Sequence, residues 1–414
     1  MKKATLKGTN DYLPKEVRIR DYLQNKILEV YENSGFERII TPIIEDIENL
    51  DKSEGGENLN LIFKILKRGD KLDKAVEQGK FEELADMGLR YDLTLPLSRY
   101  FANNKAKLMF PMKCIQIDRV YRAERPQKGR LREFVQCDID ILGSSSINCE
   151  IELIDTTTKA LLAIGISNFK VKVNNRRILK SMLLKAGFAE EQLDSVCIIF
   201  DKLDKIGKDG IKNELTEKEY DQAAIDNLIT ILEDCPLSLE KVKEISDDME
   251  AIEDIEKILA AANGLSDGKY EVVFDISLVR GQGYYTGTVF EIESIDFKGA
   301  IAGGGRYDNL IGKFSGEQVP AVGFSIGFER IYSILLANEF VIPDKKKRVV
   351  VLYAADEFVE ASKKANELRT SYDVALFEKP KKLGKFLNKL EEQEYYGYFV
   401  LGESEGVKVF GQNK

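Results

Sequence analysis

Residues 114–142 constrain the fold more than any other stretch of the chain. Cys114-Ile-Gln-Ile-Asp-Arg-Val-Tyr-Arg122 reads as a strand and Pro126-Gln-Lys-Gly-Arg130 as a loop. The return segment then alternates without a break. Phe134, Gln136, Asp138 and Asp140 share one face, and Val135, Cys137, Ile139 and Ile141 share the other. An antiparallel pair of this kind packs one face on a core and presents the other. Arg122, Glu124, Arg125, Arg130, Arg132 and Glu133 crowd the turn between the strands. That charge density favours an anionic ligand over a face simply turned to water.

The surrounding segments suggest a mixed α and β chain. Pro14 can open a helix, because its missing N–H would have no partner there. Ile19, Leu23, Ile27 and Val30 follow at helical spacing, and Gly35 suits the cap. Arg38-Ile-Ile-Thr-Pro-Ile-Ile is β-prone, but Pro42 confines it to an edge or interface. Residues 146–165 read as a helix, and about 169–267 as a mostly helical, motif-poor insertion. Strand signals return at Glu271–Ile276 and Thr288–Ile292, flanking Arg280-Gly-Gln-Gly-Tyr-Tyr-Thr-Gly287. Ala302-Gly-Gly-Gly-Arg-Tyr-Asp308 has the composition of a turn or of a close approach to a ligand. After Val322-Gly-Phe-Ser-Ile-Gly327 a helix opens with Arg330 in its first turn, where the helix dipole disfavours a cation unless an anion is bound. Beyond Pro343 and Asp344, strands and helices alternate as in a small α/β domain. Lys379, Lys381, Lys382, Lys385 and Lys389 cluster there.

Composition narrows the chemistry. The chain contains no histidine, which removes every mechanism built on imidazole. The cysteines at 114, 137, 149, 197 and 235 form no CxxC pair, which argues against zinc and fits a reducing cytoplasm. Catalysis must rest on placed Arg, Asp and Glu, the toolkit of phosphoryl and nucleotidyl transfer. The net charge of -9 disfavours a nucleic-acid partner, but residues 345–414 carry 14 Lys+Arg against 11 Asp+Glu, so a basic patch is available. No apolar run approaches the roughly 18 residues of a membrane span, and Met1-Lys-Lys-Ala-Thr leads into no apolar signal core.

These segments, in this order, resemble histidyl-tRNA synthetases. Lys7-Gly-Thr-Asn-Asp-Tyr-Leu-Pro14 looks like the family's opening, and Gly35-Phe-Glu-Arg-Ile-Ile-Thr-Pro-Ile-Ile-Glu45 like class II motif 1. Tyr121-Arg-Ala-Glu-Arg-Pro-Gln-Lys-Gly-Arg-Leu-Arg-Glu-Phe-Val-Gln136 is similar to motif 2, and Gly323-Phe-Ser-Ile-Gly-Phe-Glu-Arg330 to motif 3. The Arg280 and Gly303 glycine segments resemble the two histidine-specific peptides.

The resemblance implies an α+β fold: a class II antiparallel sheet flanked by helices, with a mostly helical insertion and a C-terminal α/β domain like those that bind anticodons. Residues 1–168 and 268–342 would form the catalytic core, 169–267 the insertion, and 345–414 the last domain. It also implies activation of histidine by ATP with Mg²⁺, transfer to tRNA(His), a homodimer and a cytoplasmic setting. Arg122 and Arg280 would contact the α-phosphate, Arg330 and Arg130 the rest of the triphosphate, and Glu124 the nucleotide. Charge-assisted bonds of this type are worth about 1.5–3 kcal/mol each. Asp92, Thr94 and Gln136 would hold the α-ammonium, Asp140 and Tyr285 the imidazole, and Tyr284 and Tyr307 would line the pocket.

Two features depart from the family. Gly283 stands where RGLDYY carries an acidic residue, and the last domain ends slightly early, at Val407-Lys-Val-Phe-Gly-Gln-Asn-Lys414. They leave room for an alternative, the synthetase-like regulatory subunit of ATP phosphoribosyltransferase. That paralogue usually lacks the motif 2 arginines that Arg122, Arg130 and Arg132 supply here.

Overall fold

The structure is a computed structural model. It describes residues 3–51, 58–126, 130–233, 237–280, 283–297, 299–343 and 345–411. Residues 127–129 of the charged loop, Cys235, Gly281, Gln282 and Asp344 lie outside the described residues.

The strand pair anticipated at 114–142 forms the middle of an eight-stranded sheet. Met112–Tyr121 runs antiparallel to Glu133–Leu142, with Gln116 opposite Asp138 and Cys114 opposite Asp140. Glu133–Leu142 pairs on its other side with Ala321–Gly327, and the sheet continues through Gly299–Arg306, Thr288–Ser294, Phe169–Asn175 and Glu271–Phe274. Glu37–Arg38 closes the near edge. Pairing is parallel at the two outermost positions and antiparallel between them. Val135, Cys137, Ile139 and Ile141 are all buried. The Pro14–Asn33 and Phe328–Ala337 helices pack against this strand, and Asn148–Ala163 packs between it and Ala321–Gly327. The opposite face carries Gln136, Asp138 and Asp140.

Three segments differ from their sequence reading. The β-prone run at Pro42 is split: Glu37–Arg38 joins the large sheet, while Ile44–Asp46 enters a separate antiparallel sheet with Ala85–Leu89 and Phe63–Leu66. The break between them is held by Arg90, fully buried, whose Nη1 donates to the Thr41 carbonyl (2.8 Å) and whose Nε donates to that of Arg119 (2.9 Å). Phe169–Asn175 opens the helical stretch as a strand of the large sheet. The three glycines at 303–305 are not a turn but the centre of a strand, because their neighbours come too close for side chains. A Cβ on Gly304 would lie 2.0 Å from the Gly323 carbonyl oxygen.

The first turn of the Phe328–Ala337 helix is anchored from the far end of the chain. Arg20 donates two parallel hydrogen bonds to Glu329, each 2.7 Å. Its guanidinium is stacked over Tyr12 at 4.1 Å and also faces Phe328 and Tyr332. Both partners of the pair are buried. Removing one leaves an uncompensated buried charge, so Arg20→Ala is expected to destabilise the protein by about 3–5 kcal/mol. Denaturant unfolding monitored by circular dichroism checks this; a loss below about 1 kcal/mol would show the pair to be dispensable.

Contacts divide the chain into two compact units, residues 1–340 and 341–414. In the second, Tyr372–Glu378, Lys347–Tyr353 and Gly397–Val400 lie parallel, and Lys408–Val409 adds an antiparallel edge. Two helices, Phe358–Leu368 and Leu383–Glu392, complete it. Among the described residues no helix is long and apolar enough to cross a membrane.

Candidate active site

The polar face of Glu133–Leu142 forms the floor of a cavity of about 320 Å³, within the size range of small-molecule sites. Every residue given a role from the sequence lines it: Asp92, Thr94, Arg122, Glu124, Arg130, Gln136, Asp140, Arg280, Tyr284, Tyr285, Tyr307 and Arg330. These come from five separated stretches of chain. Asp138, Ser325 and Phe134 line it as well.

One set of lining groups is cationic. Arg122 is fixed by an Nε hydrogen bond to the Tyr91 carbonyl (3.0 Å) and by the ring of Phe134, 5.0 Å from its guanidinium carbon. Arg280 has left-handed backbone (φ +63°), and its guanidinium lies flat on Gly303. A Cβ there would fall 2.3–2.5 Å from the guanidinium atoms, so the bare backbone of Gly303 is what admits Arg280. Arg280 Nη1 donates to Glu291 (2.6 Å), while its buried Nε has no protein partner among the described residues. Arg330 donates to the Ala300 carbonyl. Burial, then the charges of Arg130 and Arg280, push the Arg330 pKa below its ordinary value, with Glu291 opposing. Guanidinium groups that repel one another across a cavity are stabilised by an anion placed between them.

The other set is anionic. Asp92, Asp138 and Asp140 are each about 95% buried. Burial raises Asp92 to about 6, against a hydrogen bond from the Leu95 N–H and the charge of Arg122. Burial raises Asp140 to about 7, against a 2.5 Å hydrogen bond from the Tyr307 hydroxyl. Asp138 is held well above the usual carboxylate range, first by burial and then by Asp140. Two acceptors, Asp92 Oδ2 and Gln136 Oε1, are buried with no partner among the described residues. Gln136 Nε2 donates to Ser325 Oγ (3.1 Å), which fixes the direction of its amide. An ammonium group would satisfy both orphaned oxygens.

Gly323, opposite Asp140 in the sheet, makes room for this carboxylate: a Cβ at 323 would sit 1.9 Å from Asp140 Oδ1. Gly323→Ala should therefore displace Asp140 and weaken binding of its ligand by roughly 10–100-fold, the equivalent of one hydrogen bond to a charged group. Calorimetric titration would measure it, and unchanged affinity would show that Asp140 is not held by that space.

The family model described as histidyl-tRNA synthetase matches residues 8–331. The chain belongs to the histidyl-tRNA synthetase family. A histidine–tRNA ligase of Leifsonia xyli subsp. xyli is 42% identical over 360 residues, which are 84% of this chain and 83% of the relative. One from Cytophaga hutchinsonii is 34% identical over 98% of this chain and 94% of its own length. The crystal structure of histidyl-tRNA synthetase from Nostoc sp. PCC 7120 superposes with a TM-score of 0.78 at 29% identity, covering 96% of this chain and 91% of that one. The large antiparallel-dominated sheet flanked by helices is thus the class II synthetase fold.

Within this family fold, Gly283 is not among the residues lining the cavity. Its carbonyl instead accepts from Arg176 (3.5 Å) behind the tyrosine pair. Tyr284 and Tyr285 pack against each other at 4.9 Å between ring centres, and Tyr284 meets Tyr307 edge-on at 6.0 Å. The sequence reading gave Asp138 no role, although the alternation that found Gln136 and Asp140 puts it on the same face. Ser325 sits in the motif 3 string and carries no signal of its own. The Arg20–Glu329 anchor has none at all in the sequence.

Proposed function

We propose that this chain is a histidine–tRNA ligase, which activates histidine with ATP and transfers it to tRNA(His). The observation that carries this reading is the division of one cavity into four guanidinium groups and three buried carboxylates, in a member of this family. A triphosphate answers the first set and an amino acid the second.

In the first step a histidine carboxylate oxygen bonds to the α-phosphorus of ATP, the bond to the bridging oxygen breaks, and pyrophosphate leaves. Arg122 and Arg280 take up the negative charge that gathers on the α-phosphate. Arg330 and Arg130 hold the outer phosphates, and Glu124 contacts the nucleotide. Asp92, Thr94 and Gln136 hold the α-ammonium, and Asp140 and Tyr285 the ring, with Tyr284 and Tyr307 as walls. Fixed charges of this kind need no reorganisation as the reaction proceeds. Mg²⁺ would arrive with the nucleotide and would supply further neutralisation of phosphate charge beside these arginines. In the second step a hydroxyl of the terminal tRNA ribose attacks the acyl carbon and AMP leaves.

Residues 1–168 and 268–342 form the catalytic core in this reading, 169–267 an insertion, and 345–414 an anticodon-binding domain whose lysine cluster meets tRNA phosphates. The enzyme acts in the cytoplasm as a homodimer joined through the 35–45 segment. Histidine-dependent ATP–pyrophosphate exchange by the purified chain tests the first step, and charging of tRNA(His) the second. Histidine binding without exchange would favour the regulatory-subunit alternative.

A further inference from the structure

Among the roles assigned above, Asp92 answers the α-ammonium and Asp140 a ring N–H, but Asp138 is given no part of the ligand; within the protein it accepts from Gln136 Nε2 (3.4 Å) and from Ser325. It is only 5% exposed and lies between Gln136 and Asp140 on one strand face. Same-face neighbours stand about 6.8 Å apart along a strand, so Asp138 is one step from Asp140 along an amino acid lying between Gln136 and the pocket end. The groups that act on Asp138 and Asp140 come from every wall. Cys114 stands opposite Asp140 on the adjoining strand, and Ser325 opposite Asp138 on the other. Tyr307 donates to Asp140, while Tyr284 and Tyr285 feel Asp138 from the facing loop. Asp92 adds a third negative charge, and Arg122 is the cation that opposes it.

Arg122 is held by the Tyr91 carbonyl and the Phe134 ring and serves the phosphate end in the reading above, so the amino acid is the group that can bring a positive charge between Asp138 and Asp140. Beside a neutral ring the pair can ionise fully only by leaving one carboxylate buried and uncompensated, which is strongly unfavourable. A cationic ring answers both.

We propose that the site takes histidine with its ring doubly protonated, as imidazolium, and that Asp138 together with Asp140 selects this form. The inference rests on the reading of the cavity as a histidine site. Its protons balance. In the empty protein, burial raises both carboxyls above the usual carboxylate range, and for Asp138 the charge of Asp140 adds to it, so the buried pair favours holding a proton. On binding, that proton passes from a carboxyl oxygen to a ring nitrogen, leaving carboxylate and imidazolium. At higher pH, where the pair has ionised before binding, the proton must come from solvent. Affinity then falls by up to about tenfold per pH unit.

The experiment is ¹⁵N NMR of histidine labelled at both ring nitrogens, bound to the full chain at pH 8, with calorimetric Kd values from pH 7 to pH 9. Free histidine has a neutral ring at pH 8. The bound ring is expected to show two nearly equal shifts of the imidazolium type, and Kd should weaken as pH rises. In Asp138→Asn the bound ring should return to the separated shifts of neutral imidazole, with a flatter pH profile. Separated neutral shifts in the unmodified protein would overturn the inference while leaving the histidine site in place. So would an imidazolium pattern and slope unchanged in Asp138→Asn. Absence of saturable histidine binding would overturn the underlying reading as well.

Discussion

Replacing Arg280 by alanine is expected to lower the rate of histidine-dependent pyrophosphate exchange by roughly 10²–10³-fold, the usual cost of removing one donor aimed at charge that develops in a transition state. The affinity for histidine should change little, because in the proposed reading Arg280 serves the phosphate and not the amino-acid end. Its position makes the effect large. The side chain is held between Glu291 and the bare backbone of Gly303, so its orientation is set before the substrate arrives. Its buried Nε has no protein partner among the described residues. Equal losses in exchange rate and in histidine affinity would place Arg280 in the amino-acid pocket instead.

The second large effect is expected at Asp140. Asp140→Ala removes the acceptor proposed for the ring and leaves the Tyr307 hydroxyl without the partner it holds at 2.5 Å. Truncating one member of a buried, hydrogen-bonded charge pair costs on the order of 2–5 kcal/mol. Histidine should therefore bind roughly 10²–10³-fold more weakly, and the preference for histidine over other amino acids should collapse with it. Exchange assays with a panel of amino acids measure both. Retained preference at unchanged affinity would remove Asp140 from the recognition of the ring. A stability effect of opposite sign accompanies this loss. The Asp140 carboxyl has a folded-state pKa of about 7, above that of an unfolded aspartate. Between roughly pH 4 and pH 7 the folded protein thus binds more protons than the unfolded chain, and this residue's contribution to stability falls as pH rises through that window. Asp140→Asn cannot ionise, so without histidine it should melt higher than the unmodified protein at pH 8, with the gap closing toward pH 4.

How much of this could be read in advance depended on how local each cause was. The floor of the site was legible because strand alternation is a strict rule: once Val135, Cys137, Ile139 and Ile141 face a core, Gln136, Asp138 and Asp140 must face away. The helices at 14–33 and 328–337 were legible for a similar reason, through their spacing and, for the first, its proline start. The glycine strand was not. Three glycines in a row weaken strand propensity, and what places them in a sheet is the approach of Arg280, Gly323 and Thr288 from other segments. The split at Pro42 depends likewise on Arg90, nearly fifty residues on. Arg20 and Glu329 lie 309 residues apart, and nothing near either predicts the other. Asp138 is the instructive case. Alternation gives its face, but only the fold shows it buried beside Asp140 and within the field of Asp92.

The most direct test is a crystal structure of the chain with ATP, Mg²⁺ and histidinol, which has the ring and ammonium of histidine but no carboxylate to react. The triphosphate should lie against Arg122, Arg280 and Arg330, with the ammonium on Asp92 and Gln136 and the ring against Asp140. A nucleotide bound away from these arginines, or histidinol held elsewhere than on this floor, would contradict the account.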